Sequence, residues 1–118
     1  HGSTFGGNPL SCAAANAALA VIEDEDLPGQ AEAKGKYLMG KLKKIDAKNI
    51  REVRGLGLMI GIELKDKAMP YIKALRDKHI IAINAGMTVI RFLPPLVITY
   101  EQIDHLVATL TNILTENN

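Results

Sequence analysis

The chain has 118 residues and a mass of 12.8 kDa, which is the size of a single domain. Its composition, with 47% hydrophobic and 23% charged residues, is typical of globular proteins and excludes collagen-like, coiled-coil and disordered chains. A net charge of +1 gives no reason to expect a nucleic acid or an anionic membrane surface as a partner.

The single cysteine, Cys12, excludes an internal disulfide framework and a cysteine-based zinc site. A lone thiol fits a reducing compartment, so we expect a cytoplasmic location. No window contains the roughly 18 unbroken apolar residues that a membrane helix needs, so we expect no membrane partner. The chain starts inside a loop-like stretch without an initiator methionine, so we expect it to be a fragment of a longer protein.

The first half of the chain predicts two helices. Asn8 is a suitable N-cap and Pro9 a suitable first helical residue, so the first helix should run to about Asp24. Leu27-Pro28-Gly29 is predicted to separate the first helix from the second. The second helix should follow over about residues 30–45, with its lysines in water. The apolar stripe of the first helix consists mainly of small residues: Ala13, Ala14, Ala17, Ala18 and Val21.

The second half predicts two strand pairs and two further helices. Residues 50–54 and 56–64 favour strands around a turn at Gly55, and residues 79–84 and 88–93 favour a hairpin. Helices are predicted over about 69–78 and after a capping box formed by Thr99 and Gln102. The pattern indicates an α+β fold, with a small antiparallel or mixed sheet and helices packed on one face.

Arg91 is a charged residue inside an otherwise apolar stretch, residues 89–96 (VIRFLPPL). A guanidinium held at a strand end before Pro94-Pro95 can offer a planar fork to a carboxylate. The alternative, more frequent in an arbitrary protein, is an edge-strand arginine whose stem covers apolar surface while its head lies in water.

Ser3 and Thr4 offer hydroxyl donors in a glycine-rich loop, and such a loop can bring donors to a phosphate. A plain surface loop is the alternative and the more frequent case. Arg54 is expected to be a turn residue with a local partner. His79 and His105 are isolated, so no metal site is predicted.

Three segments, taken together and in order, resemble the subgroup III aminotransferases that depend on pyridoxal phosphate. They are residues 1–10 (HGSTFGGNPL) before an alanine-rich helix, residues 52–59 (EVRGLGLM) and residues 89–96 (VIRFLPPL). The resemblance covers essentially the whole chain. Within the family the likeness is greatest to the acetylornithine aminotransferases, and the ornithine aminotransferases share the Arg-Phe-x-Pro-Pro-Leu element.

This resemblance implies that residues 1–24 are a loop and linking helix from the boundary of a large domain. Residues 25–118 would be the small C-terminal α+β domain of a fold-type I enzyme. It also implies that Thr4, with Ser3 beside it, binds the cofactor phosphate of the other subunit of a homodimer. Arg91 takes the role of the arginine that pairs with the substrate α-carboxylate.

The reaction implied is the transfer of an amino group from N-acetylornithine to 2-oxoglutarate. The catalytic lysine that binds the cofactor covalently has no counterpart in this chain, so we predict that the chain alone contains no catalytic residue and is inactive. Ornithine aminotransferase, or a related ω-aminotransferase, is the nearest alternative. Two other classes stay open: a stand-alone module that binds an amino acid through Arg91, and a dimerisation fragment that uses the alanine helix.

Overall fold

The computed structural model describes residues 2–116. His1, which opens the motif at 1–10, and residues 117–118 of the predicted C-terminal domain lie outside the described residues. The helices are α1 (Pro9–Asp24), α2 (Leu27–Leu42), α3 (Met69–Asp77) and α4 (Tyr100–Thr115). The strands are β1 (Ile50–Leu56), β2 (Met59–Leu64), β3 (Ile83–Ala85) and β4 (Val89–Phe92). The predicted α+β class and the predicted order of elements are confirmed.

Helix α1 begins as the sequence predicts, because the Asn8 side chain accepts a hydrogen bond from the Ser11 N–H at 3.1 Å. No residue of α1 is buried, and Leu10 and Leu19 are 81% and 58% exposed. Cys12 is exposed as well. The radius of gyration is 17.2 Å, against about 13.5 Å for a compact chain of this length. The helix therefore extends away from the packed body.

Helix α2 starts at Leu27, earlier than predicted. Pro28 lies in its first turn, where a missing N–H costs no hydrogen bond, and Asp26 caps it by accepting from the Gly29 N–H at 3.4 Å. The expectation that Lys34 faces water is wrong. Lys34 is buried on α2 and donates to Gln30 Oε1 at 3.0 Å.

The strands form one antiparallel sheet in the order β1-β2-β4-β3. The predicted turn at Gly55 is wrong, because Gly55 lies inside β1 and pairs with Ile60. The chain turns instead at Gly57, which has a φ of +55° and so adopts the left-handed conformation that glycine tolerates best. The β3–β4 hairpin is confirmed.

Strand β3 starts at Ile83 rather than at His79, because His79 and Ile80 form the hydrogen bonds that terminate α3. His79 has a φ of +63°. Its N–H donates to the Arg76 carbonyl, and the Ile80 N–H donates to the Leu75 carbonyl, both at 2.9 Å. This is the Schellman pattern of helix termination, with His79 in the position usually taken by glycine.

The hydrophobic core lies between one face of the sheet and helices α2, α3 and α4. Ile60, Ile62 and Leu64 alternate along β2 and are fully buried. The predicted capping box is confirmed: Thr99 accepts from the Gln102 N–H at 3.1 Å, and Gln102 accepts from the Thr99 N–H at 2.9 Å. The helices contribute the following fully buried side chains: Leu38, Leu42, Leu75, Ile103, Leu110 and Leu114.

Candidate functional site

The second face of the sheet carries a row of residues that runs across all four strands. Arg54 on β1 is in register with Gly61 on β2, Gly61 with Arg91 on β4, and Arg91 with Ile83 on β3. Because side chains alternate along a strand, this row faces away from the core that holds Ile60 and Ile62. Two arginines therefore lie on one open sheet face, separated by a residue with no side chain.

Arg91 is half-buried, and its neighbours Ile90 and Phe92 point into the core on the other face. It lines a shallow depression of about 280 Å³, together with Arg54, Gly61 and Val89. No side chain within residues 2–116 forms a hydrogen bond or an ion pair with its guanidinium. The donors of Arg91 are thus available to a ligand, which is what carboxylate binding requires.

Arg54 has a different environment, although it lines the same depression. It lies in a strand, so the prediction of a turn residue is wrong, but the prediction of a local partner is confirmed. Its Nη1 donates to Glu52 Oε2 at 3.0 Å and to Glu63 Oε2 at 3.1 Å. The hydrogen bond to Glu63 is the main reason why the pKa of Arg54 is raised above its usual value.

Gly61 leaves the floor of the depression bare. A Cβ there would meet only Val89 Cγ1, at 3.4 Å, which is ordinary van der Waals contact. The backbone therefore does not require glycine at this position, and a larger side chain would occupy the space between Arg54 and Arg91. Neither Gly61 nor Glu63 could be recognised from the sequence as part of this depression. The alternation along residues 56–64 signals which face they occupy, but not which residues lie opposite them.

Ser3 and Thr4 lie in the first of two consecutive turns before α1. The Gly6 N–H donates to the Ser3 carbonyl at 3.2 Å, and the Asn8 N–H donates to the Phe5 carbonyl at 3.1 Å. Ser3 and Thr4 are exposed, and in the described part of the chain neither hydroxyl has a hydrogen-bond partner. A Cβ at residue 6 would come within 3.0 Å of Ser3 Oγ, so Gly6 keeps that hydroxyl clear.

This donor set fits the phosphate end of pyridoxal phosphate. Two unengaged hydroxyls stand in a loop that contains no acidic residue between positions 2 and 8, so no carboxylate repels an anion there. The depression at Arg91 has no residue of segment 2–24 in its lining. Within the described chain, then, the two predicted subsites are not brought together.

His79 and His105 line a second groove, of about 560 Å³, between the Pro94-Pro95 segment and the start of α4. His79 is there because it terminates α3. No group of three potential metal ligands occurs among the described residues. Between residues 2 and 116, no helix has both the length and the apolarity that crossing a membrane requires.

The open face of the sheet thus presents an arginine without a partner among the described residues, and the loop before α1 presents two exposed hydroxyls. The family model described as "Aminotransferase class-III" matches residues 1–114, and the chain belongs to this family. Enzymes of this class are aminotransferases that use pyridoxal phosphate.

Individual relatives carry several names. The chain is 53% identical to the [LysW]-aminoadipate semialdehyde transaminase of Deinococcus radiodurans, over 100% of this chain and 28% of that protein. It is 56% identical to ornithine aminotransferase 2 of Staphylococcus aureus, over 88% of this chain and 26% of that protein. The acetylornithine aminotransferase of Elizabethkingia anophelis has a similar structure, with a TM-score of 0.91 and 39% identity over 98% of this chain and 32% of that one. The chain thus spans between a quarter and a third of the length of these relatives.

Proposed function

We propose that this chain forms the C-terminal, carboxylate-binding part of a pyridoxal-phosphate-dependent aminotransferase that acts on amino acids. The observation that carries the proposal is the unengaged guanidinium of Arg91 in the depression on the open sheet face. In this proposal residues 25–118 are the small domain. Residues 1–24 connect it to a large domain, which agrees with the absence of any buried residue in α1.

Arg91 binds the α-carboxylate of the substrate. Its guanidinium offers two parallel N–H donors that match both oxygens of a carboxylate, which a lysine cannot do. The flanking residues Ile90 and Phe92 are anchored in the core, and Pro94-Pro95 follows one residue after the strand, so the strand end is rigid. A fixed carboxylate places the reacting end of the substrate at a defined distance, and such positioning lowers the barrier to reaction.

Thr4 holds the cofactor phosphate, with Ser3 beside it, by donating hydroxyl hydrogen bonds. Bound there, pyridoxal phosphate would supply the aldehyde that takes up the amino group and the electron sink for negative charge at the neighbouring carbon. Because segment 2–24 does not reach the depression at Arg91, Thr4 acts on the cofactor of the partner subunit. The protein is therefore proposed to work as a homodimer. The lone, exposed Cys12 fits work in the cytoplasm.

N-acetylornithine is the proposed amino donor and 2-oxoglutarate the acceptor. The greater likeness of the sequence motifs to acetylornithine aminotransferases supports this choice, as does the structural match to one of them. Ornithine aminotransferase is the alternative, favoured by the 56% identity to a relative of that name. Both donors carry an α-carboxylate for Arg91 and a terminal amino group that reacts.

The chain alone is proposed to be inactive. No lysine lines the depression at Arg91 in the part of the chain that the structure describes. The buried Lys34 lies on α2, on the helical side of the sheet, and is hydrogen-bonded to Gln30. The same observation favours the rival class, a module that binds an amino acid without chemistry. The absence of any buried residue in α1 favours the other rival, a dimerisation fragment.

Absorbance spectroscopy of the full-length protein tests the proposed function. The protein is loaded with pyridoxal phosphate, and N-acetylornithine or ornithine is added in separate experiments. We expect the visible band of the bound cofactor to disappear with N-acetylornithine and to change only weakly with ornithine. The reverse preference would establish the ornithine alternative. No visible band, and no change with either donor, would leave the binding module as the better account.

A further inference from the structure

Glu63 is the acidic side chain closest to Arg91 along the sheet register. It pairs with Val89 across the β2–β4 ladder, two residues before Arg91, and both side chains belong to the open face. Diagonal neighbours of this kind have Cβ atoms about 7–8 Å apart, a span that a glutamate and an arginine can close. Nevertheless, Glu63 forms no ion pair with Arg91 in the described chain.

The carboxylate of Glu63 is instead held on the side of β1. Arg54 Nη1 donates to its Oε2 at 3.1 Å, while Arg51 approaches its Oε1 only to 3.8 Å, too far for a hydrogen bond. The side chain of Glu63 is 25% exposed, whereas those of Arg54 and Arg51 are 50% and 62% exposed. Arg54 is therefore the principal partner of a carboxylate that lies well inside the open face.

We propose that Arg54 is a positioning residue for the aminotransferase reaction: it holds Glu63 against β1, so that Glu63 does not neutralise Arg91. This inference rests on the proposed function, in which Arg91 binds the substrate carboxylate. A carboxylate attached to the neighbouring strand competes at an effective concentration of about a millimolar or more. Unless the Glu63 carboxylate is held elsewhere, it would occupy the guanidinium of Arg91, which the substrate carboxylate needs.

Steady-state kinetics of the full-length, cofactor-loaded enzyme test this role. Arg54→Met removes the charge but keeps an apolar stem, and it frees Glu63 to turn towards Arg91. We expect the KM for N-acetylornithine and for 2-oxoglutarate to rise about tenfold, the size of one moderate coupling between neighbouring charges. The value of kcat should stay within about twofold, because once the substrate has displaced Glu63 the reacting groups are unchanged.

The double variant Arg54→Met/Glu63→Gln distinguishes this mechanism from simple damage to the sheet. An amide at position 63 cannot form an ion pair with Arg91, so the KM should return to within about twofold of the wild-type value. A misfolded Arg54→Met protein would not be restored by a second change. Arg51→Met is the matched control, because it removes the same charge from the same strand beside the same carboxylate, and its KM should change less than about twofold.

Two results would overturn the inference: an unchanged KM in Arg54→Met, or a raised KM that Glu63→Gln does not restore. A comparable rise in KM in Arg51→Met would also overturn it, since the effect would then come from net charge. Arg91→Met, measured in parallel, separates this inference from the proposed function. If Arg91→Met leaves kcat/KM unchanged, the proposed function fails. If Arg91→Met lowers kcat/KM while Arg54→Met leaves the KM unchanged, only the inference fails.

Discussion

Arg91 and Arg54 lie in one row of the sheet, yet their surroundings differ. Arg54 has two carboxylates within hydrogen-bond distance, and Arg91 has none in the chain between residues 2 and 116. An arginine without a protein partner is costly to keep half-buried unless its donors are solvated or occupied by a ligand. Gly61, which lies between the two arginines, leaves the space between them without a side chain.

Thr4 gives a direct test of the cofactor loop. Thr4→Ala should weaken binding of pyridoxal phosphate to the full-length apoenzyme by about 1.5–3 kcal/mol, because one charge-assisted hydrogen bond is lost. Titration of the apoenzyme with the cofactor measures this change. Thr88→Ala is a suitable control, since Thr88 lies outside the loop and its hydroxyl has no bond among the described residues. Equal cofactor affinity of Thr4→Ala and wild type would contradict the role of Thr4.

At the scale of elements, α2 and the β1–β2 turn approach each other closely. A Cβ at Gly35 would overlap the carbonyl oxygen of Gly57, so the two backbones meet here with no room for a side chain. By helix propensity alone, a glycine at position 35 only weakens the helix. Its actual effect is to let α2 lie on the turn, and a spacing pattern within one element cannot reveal a contact with another.

Gly35→Ala should therefore destabilise the protein by about 1–3 kcal/mol, despite the higher helix propensity of alanine. Gly40→Ala is the matched control, because a Cβ at Gly40 has no atom within 4 Å. Gly40→Ala should be neutral or stabilise by up to about 1 kcal/mol. Melting temperatures of the two full-length variants measure the difference. A rise in both would show that the approach of α2 to the turn imposes no steric limit.

Element types could be predicted from the sequence because each helix and strand has a local pattern. Asn8-Pro9 and the Thr99/Gln102 box are complete within four residues, and the structure confirms both. The ends of α2 and the start of β3 could not be predicted. Pro28 fits a first helical turn as well as a loop, and His79 takes a left-handed conformation that its residue type does not signal.

At the scale of the whole molecule, the site depends on pairings between distant segments. The sequence motifs singled out Ser3, Thr4 and Arg91 as separate candidates. They could not show that Arg91 shares a row with Gly61 and Arg54, because β2 pairs with β4 across α3 and β3. The register of a sheet depends on tertiary packing, so Gly61 and Glu63 became visible as part of the site only in the folded chain.

The isolated chain should not catalyse amino transfer. It contains no lysine at the Arg91 depression within the described residues, and no residue of α1 is buried. With pyridoxal phosphate, N-acetylornithine and 2-oxoglutarate added, glutamate formation by the 118-residue chain should stay at the rate of the free cofactor. Circular dichroism on the same sample should show helix and strand, so that absence of turnover is not due to unfolding. Sustained turnover by the chain would contradict this prediction.

The central claim is that Arg91 recognises the substrate α-carboxylate, and a substrate without that group tests it most directly. The measurement compares kcat/KM for N-acetylornithine and for N-acetylputrescine, which lacks the carboxylate, in full-length wild type, Arg91→Lys and Arg91→Ala. We predict that Arg91→Ala lowers kcat/KM for N-acetylornithine about 100-fold, mainly through KM, with little change for N-acetylputrescine. Arg91→Lys should recover little of the kcat/KM that Arg91→Ala loses, because a lysine cannot form both hydrogen bonds of the arginine fork. Equal losses for both substrates, or no loss for either, would contradict the claim.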